Sequence, residues 1–255
     1  MKRTISVILV AILLVACTFA LAACGGGVST EEDWKNGINA YATADAVTIK
    51  IDDNDFNTSK KLDRQRMISN YEIAFDANKG IAIIKYKVTQ RAIVDLEPLK
   101  SEYTHFYVID GTNVLEYERS DYSGKWDEYT PRTHKFDSVD DAKTYLRNLY
   151  LHPTDITEAE FPSFLELKYY GGNMTSTSNP RETKVDTFKT KFTQIHIDEE
   201  FKYTYELSFS NGKPSKFVYK HKAASTGTTI DSRTYSVKIK YSAKVDLPDD
   251  LPQAK

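Results

Sequence analysis

The sequence predicts an α+β fold built on one antiparallel sheet with helices packed on it, and three observations predict it. Apolar residues alternate with polar ones in two long blocks, from Val47 to Tyr129 and from Phe201 to Tyr241, the period of strands with one buried face. Within those blocks Asp110-Gly111 and Asn211-Gly212 sit between apolar runs, a strong hairpin signal. Two segments break the rule and show a single apolar stripe at helical spacing, and such a stripe must be buried against another apolar surface.

The first helix is read over 30–42. Ser29-Thr30-Glu31-Glu32 resembles a capping box, acids in the first turn suit the helix dipole, and Trp34, Ile38 and Tyr41 form the stripe, which Gly37 weakens. Val47, Ile49 and Ile51 then alternate as a strand, and Asp52 to Lys61 reads as a polar loop. Tyr71, Ile73 and Phe75 alternate again, Asn78-Lys79-Gly80 turns the chain, and Ile81 to Arg91 returns. Tyr103 to Ile109 and Val114 to Arg119 flank the Asp110-Gly111 turn, and Ser123-Gly124 leads to a strand around Trp126 to Tyr129.

Asp137-Ser138 caps a second helix from Val139 to Tyr150, with Ala142, Tyr145, Leu146, Leu149 and Tyr150 on one face and Pro153 beyond its end. Thr157 to Leu167 reads as a short helix disturbed by Pro162, with a strand as the alternative, and Gly171 to Glu182 as a loop. Val185 to Ile197 fits either period and is read as strand. In the last block Phe201, Tyr203, Tyr205, Leu207 and Phe209 alternate without a break, and a loop on Asn211–Lys213 places Leu207 opposite Phe217 and Tyr205 opposite Tyr219. Tyr235, Val237, Ile239 and Tyr241 repeat the pattern before Val245-Asp246-Leu247-Pro248.

The N-terminus is read separately. Lys2 and Arg3 precede an apolar run from Ile5 to Ala23 that closes on Leu21-Ala22-Ala23-Cys24-Gly25-Gly26-Gly27, the parts of a secretory signal. Leu-Ala-Ala-Cys resembles the bacterial lipoprotein signal, the lipobox. That resemblance implies cleavage before Cys24, a diacylglyceryl thioether on its sulfur, and attachment to the extracytoplasmic face of the cell membrane. The alternative is an uncleaved transmembrane helix, against which the triglycine argues. Cys17 also fits the box, but cleavage there leaves an apolar N-terminus without a tether, whereas Cys24 leaves Gly25 to Thr30 as a spacer of at most ~20 Å. The division is thus 1–23 signal peptide, 24–30 lipidated cysteine and tether, and 31–255 one folded domain. At least two acyl chains hold such an anchor stably, so no basic patch is needed, and none is evident in the sequence.

Composition limits the rest. Without Lys2 and Arg3 the chain has 32 basic and 36 acidic residues, a net charge of −4 that disfavours a nucleic-acid partner. Both cysteines belong to the signal or its cut, so neither a disulfide nor a thiolate metal site is expected in the mature chain. Asp53-Asn54-Asp55-Phe56-Asn57-Thr58-Ser59 begins like a calcium loop but has Thr58 where glycine is needed and Arg64 where glutamate is needed. His105, His134, His152, His196 and His221 have no ligand spacing, and neither Glu199-Glu200 nor Asp249-Asp250 forms a catalytic pair. No hydrolase, zincin or β-lactamase motif is present, so no metal, cofactor or enzyme activity is expected.

The order of helix, β-meander, helical insert, second β-meander and final Asp-Leu-Pro segment resembles the lipoprotein-carrier superfamily of LolA, LolB, LppX and LprG. Trp34 on the first helix and the final strand ending in Val245-Asp246-Leu247-Pro248 carry the likeness. The resemblance implies a strongly curved, unclosed half-barrel with helices on its concave side and acyl chains in the cavity beneath, and it brings no catalytic residues. The expected lining is Tyr203, Tyr205, Leu207, Phe217, Tyr219, Tyr235, Val237 and Ile239, which alternation places on one face. Two functions stay open: a lipoprotein that binds or carries a lipid or other apolar ligand, and a surface module that binds a protein or cell-wall partner.

Overall fold

The computed structural model describes residues 31–57, 65–92, 97–152, 182–188, 191–197, 201–225 and 228–253. Among them, helix α1 (Glu31–Ala42) is followed by strands β1 (Ala46–Asn57), β2 (Gln65–Asp76), β3 (Ile81–Ala92), β4 (Leu99–Asp110), β5 (Asn113–Ser120), β6 (Lys125–Trp126) and β7 (Arg132–Lys135). Helix α2 (Val139–Leu151) separates these from β8 (Glu182–Phe188), β9 (Lys191–Ile197), β10 (Phe201–Ser210), β11 (Lys213–Ser225) and β12 (Thr228–Lys240). All strands join one antiparallel sheet in the order β6-β5-β4-β3-β2-β1-β12-β11-β10-β9-β8, with β7 also on β5. The sheet is curled and unclosed, with β6 and β7 at one edge and β8 at the other.

Two meanders are therefore joined by one non-local pairing, β1 with β12, in which Ile51 faces Val237 and Asp53 faces Tyr235. That pairing corrects the expected loop at Asp52–Lys61. The strand runs to Asn57 because β2 and β12 hydrogen-bond it from both sides along its length. Asp53, Asp55 and Asn57, which begin the calcium-like stretch, lie in this extended strand. Strand β2 likewise begins at Gln65, six residues before the first alternating aromatic, Tyr71.

Both helices pack on the same, concave face. Trp34, Gly37 and Tyr41 of α1 and Ala142, Leu146, Leu149 and Tyr150 of α2 are buried. The helices also clasp each other: the Tyr41 hydroxyl donates to the Tyr150 carbonyl and the Tyr150 hydroxyl to the Tyr41 carbonyl, each at 3.1 Å. Ser138 caps α2 as expected, accepting from the Asp141 N–H at 3.1 Å. Asn211 and Gly212 take φ of 51° and 72°, the left-handed pair a two-residue hairpin needs. The loop is Asn211-Gly212 rather than the expected Asn211–Lys213, and a β-bulge between Ser208 and Phe209 shifts the pairing by one residue, so that Leu207 still lies opposite Phe217 and Tyr205 opposite Tyr219.

Three expectations change. The strand around Trp126–Tyr129 is only Lys125–Trp126, and Arg132–Lys135 returns to β5 as a further strand with no apolar alternation to reveal it. Val185–Ile197 is a hairpin of β8 and β9 rather than one strand. Val245 to Leu251 is not the end of a strand: Val245, Leu247 and Leu251 cross the convex face and pack with Ala74, Ile83, Phe106 and Tyr117. The N-terminal segment with Cys24, the stretch Thr157–Leu167 and the Gly171–Arg181 loop lie outside the described residues. Among the described residues, no helix is long and apolar enough to cross a membrane.

Candidate functional site

Six of the eight expected lining residues come together, and they do so inside the core. Cross-strand register aligns Leu207, Phe217, Val237, Ile51, Tyr71, Tyr86 and Tyr103 in one row across seven strands. The next row holds Tyr205, Tyr219, Tyr235 and Asp53. Leu207, Phe217, Tyr219, Tyr235, Val237 and Ile239 are all buried and belong to one apolar cluster with Trp34 and Tyr41 of α1 and with α2. Trp34 packs on Phe209 at 5.3 Å between ring centroids, and Phe217 on Tyr235 at 6.2 Å. Tyr203 and Tyr205 occupy β10 opposite His221 and Tyr219.

Along the same row toward β4 the rings emerge from the core. Tyr71 is buried, whereas Tyr86 and Tyr103 are half-buried. Tyr86 stacks on Tyr71 at 6.1 Å, on Tyr103 at 5.4 Å and on His105 at 5.8 Å. His105 in turn stacks on Tyr107 at 6.3 Å. Burial, with Glu118 and the neighbouring tyrosines adding to it, pushes the Tyr86 hydroxyl up to about 12, so it stays neutral.

Two polar clusters border this ladder, and the sequence reading found neither. At one, Asp53 is 2% exposed and is gripped by Arg233 through Nε at 2.9 Å and a terminal nitrogen at 2.8 Å. The fork geometry matches a carboxylate, the arrangement that makes a buried pair tolerable. Nearby, burial raises the Asp55 carboxyl above its ordinary range despite Arg233, and His221 lies 3.3 Å from Asp231 and 3.2 Å from the Tyr219 hydroxyl. At the other, Glu116 receives His105 at 3.1 Å, the Tyr107 hydroxyl at 3.1 Å and His134 at 2.8 Å. Burial alone would raise Glu116, but hydrogen bonds from the two histidines outweigh it and hold the carboxyl at about 2. Tyr145 of α2 packs over His134 at 5.1 Å. The histidines are scattered in sequence and meet only because β4, β5 and β7 are neighbours. The one available signal was His105 itself, an imidazole at an inward position between Tyr103 and Tyr107.

The clusters are internally satisfied, and among the described residues no group of three His, Cys, Asp or Glu is placed to hold a metal ion. What the face offers chemically is a strip of aromatic surface between fixed charges, suited to binding. No protein-family model matches the chain, and no curated protein does. Among solved structures it is similar to a beta-barrel-like protein of domain of unknown function DUF1849 from Brucella abortus. That similarity has 11% identity and a TM-score of 0.28 and covers 76% of this chain and 97% of the other.

Proposed function

We propose that this chain is a lipoprotein, anchored through Cys24 on the extracytoplasmic face of the cell membrane, that holds a lipid or similar apolar molecule against its concave face. The anchor rests on the lipobox-like Leu21-Ala22-Ala23-Cys24. One observation supports the ligand: the cross-strand row that is core at Leu207, Phe217 and Val237 continues without a charged residue into half-buried Tyr86 and Tyr103. An apolar molecule laid on those rings would gain ~25 cal/mol per Å² of apolar surface removed from water.

The ligand is tested with the delipidated protein and a fluorescent fatty-acid probe. Saturable binding is expected, and Tyr86→Glu should weaken it about tenfold or more while leaving the melting temperature within a few degrees, because the position is half-buried. Val237→Arg is the contrasting variant: an unpaired charge in the core should unfold the protein. Absence of saturable binding by the unmutated protein would sink the ligand reading. The anchor is tested separately, by incorporation of a clickable fatty acid that Cys24→Ala should abolish and Cys17→Ala should not. A surface module that binds a protein or cell-wall partner is the second reading, favoured by Tyr122 and Tyr129, which are 82% and 73% exposed between β5 and β7.

A further inference from the structure

The convex face of the sheet has two unlike halves. Over β2 to β5 the outward residues Ala74, Ile83, Phe106 and Tyr117 are buried with Val245. Over β11 and β12 the outward positions carry Lys216, Lys220, Lys222, Lys238 and Lys240, all exposed. The described outward residues of these two strands include no carboxylate, although the whole chain has 34 basic and 36 acidic residues. Register sets Lys216 directly opposite Lys238, a like-charge pair that costs stability. The flanking strands supply two long ion pairs, Glu206 at 4.0 Å from Lys220 and Asp52 at 3.8 Å from Lys238. Lys216, Lys222 and Lys240 have no ion pair among the described residues. Val218 points outward between Lys216 and Lys220 yet is 6% exposed, as expected where long stems lie along the sheet and hold their ammonium groups outward.

We propose that this lysine face rests on an anionic lipid bilayer, an inference that builds on the anchored-lipoprotein reading. The field is broad, offset only at Lys220 and Lys238, and without an exposed large apolar side chain among its described residues, which fits headgroup attraction rather than insertion. Its position also fits the anchor. Trp34 packs on Phe209 and Gly37 lies against the Gly212 carbonyl, so α1 enters the fold beside the β10–β11 hairpin, whose other face carries the lysines. A tether of at most ~20 Å from Cys24 to α1 keeps the β10–β11 hairpin, where the two faces meet, near the bilayer. Each lysine near an anionic surface adds about fivefold to the association, and the attraction fades as salt shortens the screening length from ~10 Å at 0.1 M to ~3 Å at 1 M.

The test is amine footprinting of the full-length chain reconstituted in vesicles of phosphatidylcholine alone, or with a third of the lipid replaced by phosphatidylglycerol. Brief acetylation is read by mass spectrometry. In the anionic vesicles Lys216, Lys222 and Lys240 should react at least about fivefold more slowly, high salt should restore their rates, and Lys35 and Lys125 should not change. The triple variant Lys216→Glu, Lys222→Glu, Lys240→Glu should melt as the parent does and lose protection of Lys220 and Lys238. Equal rates in both vesicles, protection that survives high salt, or stronger protection by added DNA at equal charge would each overturn the proposal. Flotation with phosphatidylcholine vesicles reports on the anchor independently: failure to float sinks the anchor, while salt-sensitive flotation with anionic vesicles alone still scores the lysine face.

Discussion

Glu116 gathers hydrogen bonds from three side chains on two neighbouring strands, His105 and Tyr107 of β4 and His134 of β7. A carboxylate only accepts, so each partner must donate, and an amide in its place would turn one acceptor into a donor. Glu116→Gln should therefore cost about 2 kcal/mol at neutral pH, read by denaturant unfolding. The pH dependence has a definite sign. The folded carboxyl is held at about 2, below its ordinary 4.5, so its stabilisation is fully present above pH 4.5 and is lost as pH falls toward 2. The gap between wild type and Glu116→Gln should accordingly close over that window, and a gap that stays constant would refute the assignment. Asp53 poses the complementary case. Arg233→Met alone strands a buried carboxylate and should cost about 3–5 kcal/mol, whereas Asp53→Leu with Arg233→Met should recover most of that loss. None of these pairings was legible in the sequence, because Asp53 and Arg233 are 180 residues apart.

At the scale of elements, helix α1 is fixed to the β10–β11 hairpin by a glycine. Gly37 looks like a flaw in an amphipathic helix, and Ala there should gain about 1 kcal/mol of helix propensity. In the fold a Cβ at Gly37 would lie 2.5 Å from the Gly212 carbonyl oxygen and 2.8 Å from Phe209. Gly37→Ala should therefore lower the melting temperature, at a net cost of about 1–3 kcal/mol, and a gain in stability would show that the helix sits further off. The hairpins themselves were readable. Asn211-Gly212 states its own backbone geometry, and the alternation on either side demands Leu207 with Phe217; a β-bulge at Ser208/Phe209, which the sequence does not announce, reconciles the two. Strand β7 was not readable, since Arg-Thr-His-Lys has no apolar face and pairs only because β5 offers it a free edge.

Across the whole molecule, the C-terminal segment closes the convex side of the first meander. Val245 is 2% exposed against β2 to β5, the Lys79 ammonium donates to its carbonyl at 3.1 Å, and Trp126 Nε1 donates to Asp250 at 3.4 Å. Removing residues 243–255 should cost about 3 kcal/mol or more, from Val245 and the two leucines that pack with it. It should also raise binding of an apolar dye at Phe106 and Tyr117, measured with the melting curve. An unchanged melting temperature and no added dye binding would show that the segment only lies on the surface.

The amino-acid sequence by itself determined the α+β class, two helices that share a sheet face, and the strands and turns whose signals are local. Alternation, capping and Asn-Gly chemistry act within a few residues, so they are written where they act. Only the tertiary structure decided that β1 extends to Asn57 and joins the two meanders, because a polar segment becomes a central strand when both neighbours hydrogen-bond it. It also decided which side chains are core and which are half-buried along a single row. Tyr71 and Tyr86 have the same period and the same chemistry, and their place in the curled sheet sets them apart. Charges follow the same rule: a near-neutral composition hides five lysines on one face, since net charge counts residues and only the fold sorts them by side.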